Sequence, residues 1–243
     1  MAPERGRRFT RWVKLGLIAA CIGLTAGVAW QVIWWPDVAA LARRNPSSTA
    51  FIERYRAEQR AQRRNDRVAW TWMPYGAISP NLKRAVLVAE DIGFFNHRGF
   101  EPAELRDAVE RAIETQEMPR GASTITQQLA KNLWLSPSRN PVRKVKEGIL
   151  TWQLERTLAK RRILELYLNV AEFGPGVYGA EAASRRYFGK SARDLSEDEA
   201  AQLAASLPRP SQWHPGVASP AYRRYVETIK RRMAKAAFLA RML

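Results

Sequence analysis

Cysteine is all but missing from this chain of 243 residues: Cys21 is the only one. A single cysteine excludes an intrachain disulfide, and its place inside an uncharged hydrophobic run leaves no thiolate candidate for catalysis. Histidine is almost as scarce, with only His97 and His214, too few ligands for a Cys/His zinc site. Acidic charge is thin as well, since 23 Asp and Glu stand against 40 Lys and Arg, a formal net charge of +17. Such a balance favours an anionic partner: nucleic acid, anionic lipid or a phosphate-bearing substrate. Alternating Val/Ile runs and Asn-Gly hairpin signals are absent after Ser79, which argues against a β-rich fold. No G-x-S-x-G, S-x-x-K or K-T-G occurs, so serine acyl-enzyme chemistry has no candidate. The G-x-G-x-x-G at Gly174–Gly179 follows a helical pattern without a βαβ unit, which rejects a dinucleotide fold.

What is present begins with a short basic segment, residues 1–14, carrying Arg5, Arg7, Arg8, Arg11 and Lys14. Residues 15–35 then run without a charge for 21 residues. At 1.5 Å per residue a helix of that length reaches about 30 Å, a full bilayer core. Trp12, Trp30, Trp34 and Trp35 fall where an aromatic belt would. The basic flank predicts a cytoplasmic N-terminus, with everything after Trp35 on the far face of the inner membrane. A cleaved signal peptide is the alternative, with Gly27-Val28-Ala29 as its processing site. The apolar run continues past that site, which favours an uncleaved anchor.

Residues 36–78 read as a juxtamembrane linker and an Arg-rich amphipathic helix over 47–67. Phe51, Ile52 and Tyr55 line one side, with Arg54, Arg56, Arg60, Arg63 and Arg64 mostly on the other. The helix is expected near anionic headgroups; nucleic-acid binding and a plain solvated face compete with that use. Residues 79–243 are expected to form an all-α domain. Helical patterns cover Pro102–Thr115, Thr124–Leu135, Pro141–Leu158, Arg161–Val170, Ala180–Phe188, Ser196–Leu207 and Tyr222–Leu239. Ser196 with Glu199 is a capping box.

Three stretches carry chemistry. In Ala89–Phe100, Ser79-Pro80 starts a helix on which Leu82, Val86 and Glu90 are four apart, so Glu90 lies on the core-facing stripe. A carboxylate on an apolar face has a raised pKa, which suits a general base near neutrality. A salt-bridged Glu with a structural His97 is an equal alternative on this stretch alone. In Gly121–Asn132, Thr124, Gln127, Gln128 and Lys131 share a polar helix face suited to sugar hydroxyls and a phosphate. In Arg139–Glu147, a helix from Pro141 puts Arg143, Lys144 and Glu147 on one face with Leu150 and Leu154, turning Glu147 inward. A surface salt bridge, worth only ~0.3–0.5 kcal/mol, is the plainer account of Arg143–Glu147 alone.

Taken together these residues resemble the peptidoglycan glycosyltransferases of family 51. Glu90-Asp-x-x-Phe-x-x-His97-x-Gly99, Gly121-x-Ser-Thr-Ile-Thr-Gln-Gln-x-x-Lys131-Asn132, Arg143-Lys-x-x-Glu147 and Arg162-Ile-Leu-Glu-x-Tyr-Leu-Asn169 occur in that family's order. The match spans roughly Ser79 to Pro210, and four ordered motifs are far more specific than any one. The single N-terminal anchor and the lack of a transpeptidase motif resemble its monofunctional biosynthetic branch. The resemblance implies a lysozyme-like helical domain on the outer face of the cytoplasmic membrane that polymerises lipid II into β-1,4 glycan with inversion. It implies Glu90 as the base for the acceptor 4-hydroxyl. Glu147, with Lys131, Arg139 and Lys144, would orient and neutralise the undecaprenyl pyrophosphate. Ser123, Gln128 and Asn132 would line the donor site. No cofactor is obligatory; Mg²⁺ or another divalent cation is a possible companion of the pyrophosphate. The expected partners are lipid II, the growing glycan, membrane lipids and other cell-wall synthesis proteins, and not nucleic acid. Where many members carry a basic residue after Gly99, this chain has Asp107, so that role is unassigned. A lytic hydrolase is the nearest rival, but it has little use for cations around Glu147.

Overall fold

A computed structural model describes residues 12, 18, 23, 25, 35–100, 123–138 and 140–243. The chain divides into two compact units, 1–37 and 38–243. Most of the expected anchor over 15–35, the expected helix Pro102–Thr115, Asp107 and Arg139 lie outside the described residues. Among the described residues no helix is long and apolar enough to cross a membrane.

The second unit contains eight described α-helices: α1 Ala50–Ala61, α2 Pro80–Glu90, α3 Ile125–Trp134, α4 Pro141–Thr157, α5 Lys160–Val170, α6 Ala180–Phe188, α7 Glu197–Ser206 and α8 Pro220–Lys235. Side-chain caps fix most of their starts. Ser79, Thr124, Asn140, Ser196 and Ser219 each accept a backbone N–H of the first turn, and Pro80, Pro141 and Pro220 supply a pre-set φ just after the cap. The Ser196–Glu199 capping box forms as the sequence indicates.

Two packed groups build the core. In one, α2 lies against α7 and α8; in the other, α3 lies against α4 and α5. Leu82, Val86 and Leu87 from α2, Ile125 and Leu129 from α3, Leu150 and Leu154 from α4 and Ile163 from α5 are wholly buried. Each such side chain contributes about 1.5–3 kcal/mol relative to exposure.

The domain is mostly helical, as expected, and carries one small sheet besides. A small three-stranded sheet, β1 Ala69–Trp70, β2 Glu172–Gly174 and β3 Val177–Tyr178, has the order β1-β3-β2. β1 pairs with β3 in parallel, Ala69 opposite Val177, and β2 pairs with β3 antiparallel through an irregular register. Strands of two or three residues are too short to show alternation, which is why the sequence pattern missed them. The β2–β3 turn is Pro175-Gly176, with Gly176 at φ +71°. A side chain there would also strike the Tyr55 hydroxyl, so Gly176 answers both turn and packing demands.

Residues 38–78, expected as linker and headgroup-facing helix, lie in the same unit as the rest of the domain. On α1, Ile52 is fully buried and the helix packs on α3, so its apolar side faces the domain. Several of its arginines are paired: Arg54 with Glu58, Arg56 with Glu53 and Arg60 with Asp66. The Arg162…Asn169 motif on α5 holds this segment down. Arg162 donates to the carbonyls of Leu41 and Arg44 at 2.9 and 3.1 Å, and Asn169 exchanges hydrogen bonds with the backbone of Met73 at 2.7 and 2.9 Å. The Trp70 indole donates to the Asn169 carbonyl at 2.7 Å.

Candidate active site

Glu90 is the last residue of α2. Its Oε2 accepts a hydrogen bond from Gln128 Nε2 at 2.7 Å, and Gln128 Oε1 in turn accepts from the Tyr167 hydroxyl at 2.9 Å. Burial pushes the Glu90 carboxyl above its ordinary range; Gln128 and Lys131 oppose that shift, and Asp91 adds to it. The direction agrees with what its place on the apolar stripe of α2 indicates.

Asp91, the neighbouring acid, is fully engaged elsewhere. Its Oδ1 meets His97 Nε2 at 2.8 Å and its Oδ2 accepts the backbone N–H of Ile125 at 3.0 Å. Gly99 N–H donates to His97 Nδ1 at 3.0 Å, so the ring proton sits on Nε2 and points at Asp91. Thr124, which caps α3, donates through Oγ1 to the Gly99 carbonyl at 2.7 Å. Gly99 has φ +88°, and a Cβ there would lie 2.7 Å from Thr151 Cγ2. These bonds clamp the end of α2 to the start of α3, with a carboxylate at the positive end of the α3 dipole. The clamp brings Glu90 alongside Gln128. Thus the two readings of Ala89–Phe100 divide between residues: His97 and Asp91 are structural, and Glu90 is the group with a shifted proton affinity.

Glu147 projects from α4 and is 3% exposed. Arg143 Nη1 and Lys144 Nζ reach its two oxygens at 2.6 and 2.5 Å. Glu147 is buried, while the Arg143 and Lys144 side chains keep 18% and 43% of their surface in water, so the cluster lies between a surface bridge and a buried pair. Lys131 stands one turn beyond Gln128 on α3. Burial pulls its ammonium below the ordinary value, Glu147 and Glu90 hold it up, and Arg143 and Lys144 push it down. Its Nζ also stands 5.9 Å from the centre of the Phe51 ring.

The structure therefore gathers Glu90, Gln128, Lys131, Glu147, Arg143 and Lys144 along one face of α3. Ser123 enters through its carbonyl, which accepts from Gln128 Nε2 at 3.3 Å. Asn132 is buried one turn past Gln128. Among the described residues no three His, Cys, Asp or Glu side chains come together as a metal site. Glu147, the acid on the cationic side, already has both oxygens on Arg143 and Lys144, a poor donor set for a divalent cation by itself.

Sequence reasoning quoted Tyr167 within a motif but gave it no role, and it missed Tyr225. Tyr167 is fully buried between Ile163 and Val170 on the inner face of α5. The Tyr225 hydroxyl, from α8, donates to the Ala89 carbonyl at 3.4 Å, and the nearby Glu90 helps raise its pKa after burial. Helical spacing marks Tyr167 as a core position, but its polar partner sits on another helix. Two clefts open beside this cluster without including either acid. One, of about 720 Å³, is bordered by Asn96, Arg98, Trp152, Arg156 and Lys160. The other, of about 640 Å³, lies between α1, the small sheet and 208–212, with Phe51, Tyr55, Glu172 and Tyr178 in its wall. Phe51 thus borders the second cleft and faces Lys131.

A family model described as Transglycosylase matches residues 57–234. The chain is 45% identical over 234 residues to a protein of Thiobacillus denitrificans named biosynthetic peptidoglycan transglycosylase, covering 95% of this chain and 98% of that one. Proteins with the same name from Azoarcus sp. and Cupriavidus metallidurans are 44% identical over 232 residues and 46% over 208. Those alignments cover 92% and 82% of this chain, and 95% and 85% of the relatives.

Proposed function

The chain belongs to the transglycosylase family and is a peptidoglycan glycosyltransferase; from that premise we propose that Glu90 and the cationic pocket around Glu147 are the two halves of its active site. The substrate is lipid II. Glu90 takes the proton of the acceptor 4-hydroxyl, a task suited to a carboxyl whose proton affinity is raised by burial. The freed oxygen attacks the anomeric carbon of the growing chain from the face opposite its diphosphate. An α-linked lipid diphosphate leaves, and a β-1,4 bond forms with inversion.

Lys131, Arg143 and Lys144 meet the charge that develops on the departing diphosphate. Arg139 is assigned to the same task from its place in the motif. Glu147 holds Arg143 and Lys144 in position until the diphosphate arrives. Ser123, Gln128 and Asn132 face the donor sugars. A divalent cation would supply positive charge beside the diphosphate, but Glu147 by itself offers too few ligands to hold one. The observation that carries this reading is α3, which hydrogen-bonds Glu90 through Gln128 at 2.7 Å, carries Lys131 one turn on and packs against α4, the helix of Glu147. Lys131, whose ammonium both acids hold up against burial, would then serve proton acceptance and leaving-group stabilisation in a single site.

The reading includes a membrane setting: residues 15–35 as a single anchor, the N-terminus cytoplasmic and the domain on the outer face. The charge-free run supports it. So does a row of exposed apolar side chains on α4, Val142, Val145, Ile149 and Trp152, on the side away from Glu147. Lipid II, the growing glycan and membrane lipids are the partners of this arrangement, along with other cell-wall synthesis proteins. The test is a lipid II polymerisation assay on detergent-solubilised protein, with Mg²⁺ and with chelator. Glycan that lengthens supports the reading. Shortening of finished glycan without lipid II turnover overturns it in favour of a hydrolase.

A further inference from the structure

We infer that Tyr167 is a positioning residue for the base: its buried hydroxyl holds the Gln128 side-chain amide in the one orientation that offers N–H to Glu90. The inference rests on reading Glu90 as the proton acceptor.

A carboxamide has nearly the same shape at either end but opposite hydrogen-bonding character. In the observed orientation the Tyr167 O–H donates to Gln128 Oε1 at 2.9 Å, leaving Nε2 to donate to Glu90 Oε2 at 2.7 Å. Turned over, the amide would set its oxygen against the carboxylate. That contact is repulsive unless Glu90 already carries a proton, the state in which it cannot act as a base. The flip would also strip the Tyr167 hydroxyl, buried on α5, of the acceptor it now has. A phenol that donates to Oε1 therefore selects the amide orientation that favours ionised Glu90.

The other charged and titratable groups around Glu90 do not replace this control. Asp91, beside it at the end of α2, has both oxygens taken by His97 and Ile125. Lys131 on α3 supplies charge but does not touch the amide in the observed contacts. Tyr225 on α8 donates to the Ala89 carbonyl. Tyr167 is held by burial between Ile163 and Val170, so its ring cannot turn away.

The test is the pH dependence of lipid II turnover in Tyr167→Phe, which keeps the ring and removes only the donor. Without the phenol O–H, only the 3.3 Å hydrogen bond from Gln128 Nε2 to the Ser123 carbonyl still resists the flip, and the turned amide accepts from protonated Glu90. The acidic limb of kcat is expected to rise by about one pH unit, with KM for lipid II unchanged and turnover near wild type above the limb. In a Gln128→Met background, Tyr167→Phe is expected to add no further shift. A loss equal at all pH values, an unmoved limb, or an added shift in that background overturns the inference. Should Tyr167→Phe fail to fold, Gln128→Met alone must raise the same limb, and an unmoved limb then has the same force. Glu90→Gln separates the two levels. If it stays active, the base assignment fails; if it is dead while the Tyr167→Phe limb does not move, only the role of Tyr167 fails.

Discussion

Asp91 and Ile125 are joined by a 3.0 Å hydrogen bond from the Ile125 backbone N–H to Asp91 Oδ2, across 34 positions of sequence. That bond ties the end of α2 to the start of α3, and His97 completes it from the other oxygen. Asp91, adjacent to the proposed base Glu90, is thus bound up as a bracket between the two helices. Asp91→Ala should lower stability by about 2–3 kcal/mol, the loss expected when buried donors are left by a charged acceptor. Turnover should fall with it. Asp91→Asn keeps an acceptor for one donor only and should fall between that variant and wild type. Urea unfolding checks the order; an Asp91→Ala protein as stable as wild type contradicts the bracket.

Glu90→Gln is the complementary case. It removes the proton acceptor but leaves a side chain of the same shape, and it relieves a buried carboxyl whose proton affinity is already raised. Polymerisation should drop by about 10²–10⁴-fold while lipid II binding and unfolding midpoint stay close to wild type. In wild type, the acidic limb of the pH–rate profile should lie above that of an ordinary glutamate, because burial favours the protonated form. Turnover is lost as pH falls through that limb. A limb at or below the ordinary value would remove burial from the explanation.

Glu147→Gln takes the counter-charge from Arg143 and Lys144 while leaving both cations in place. The two cations are partly exposed, so the loss of stability should be that of charge-assisted hydrogen bonds, ~1.5–3 kcal/mol, and turnover should fall with it. Added inorganic pyrophosphate should restore part of the stability, since it supplies the charge Glu147 provided. Thermal unfolding with and without pyrophosphate distinguishes this outcome; no effect of the anion means the cations do not form its site.

Glu172, outside the catalytic cluster, sets a pH dependence of stability. Burial pushes it up to about 7; the Gly176 backbone and Arg54 pull it down, and Glu58 pushes it up. An unfolded glutamate titrates near ~4.3. Between these values the folded chain keeps a proton that the unfolded chain has lost. Stability from this group is therefore present at low pH and falls as pH rises through the window, by at most about 3–4 kcal/mol. Glu172→Gln should remove that slope. Comparing the two proteins at about pH 5 and about pH 8 isolates it from other groups, and identical slopes would exclude Glu172 as the cause.

Much of the helical scaffold could be read from local chemistry. Ser79-Pro80, Thr124, Asn140-Pro141 and Ser196 with Glu199 each start a helix where their side chains dictate, because a cap needs only the next three residues. The three-stranded sheet escaped detection because β1 and β3 meet across more than a hundred positions and each is two residues long. The same distance in sequence hid the real partners of the motif residues. Arg162 and Asn169 carry a family motif, yet here they anchor the segment 38–78 against α5.

The sequence by itself determined which groups could do the chemistry. It marked Glu90 as an acid on an apolar stripe, Glu147 as an acid between cations one turn away, and Gln128 and Lys131 as neighbours on one helix face. All of these follow from the 3.6-residue period and from local charge. Tertiary structure alone decided what each group does. It spent Asp91 on the α3 N-terminus, buried Glu147 beneath its two cations, and brought the Tyr167 hydroxyl to the far end of Gln128. Those outcomes depend on burial and on hydrogen-bond partners from other elements, and neither is encoded within a single turn of helix.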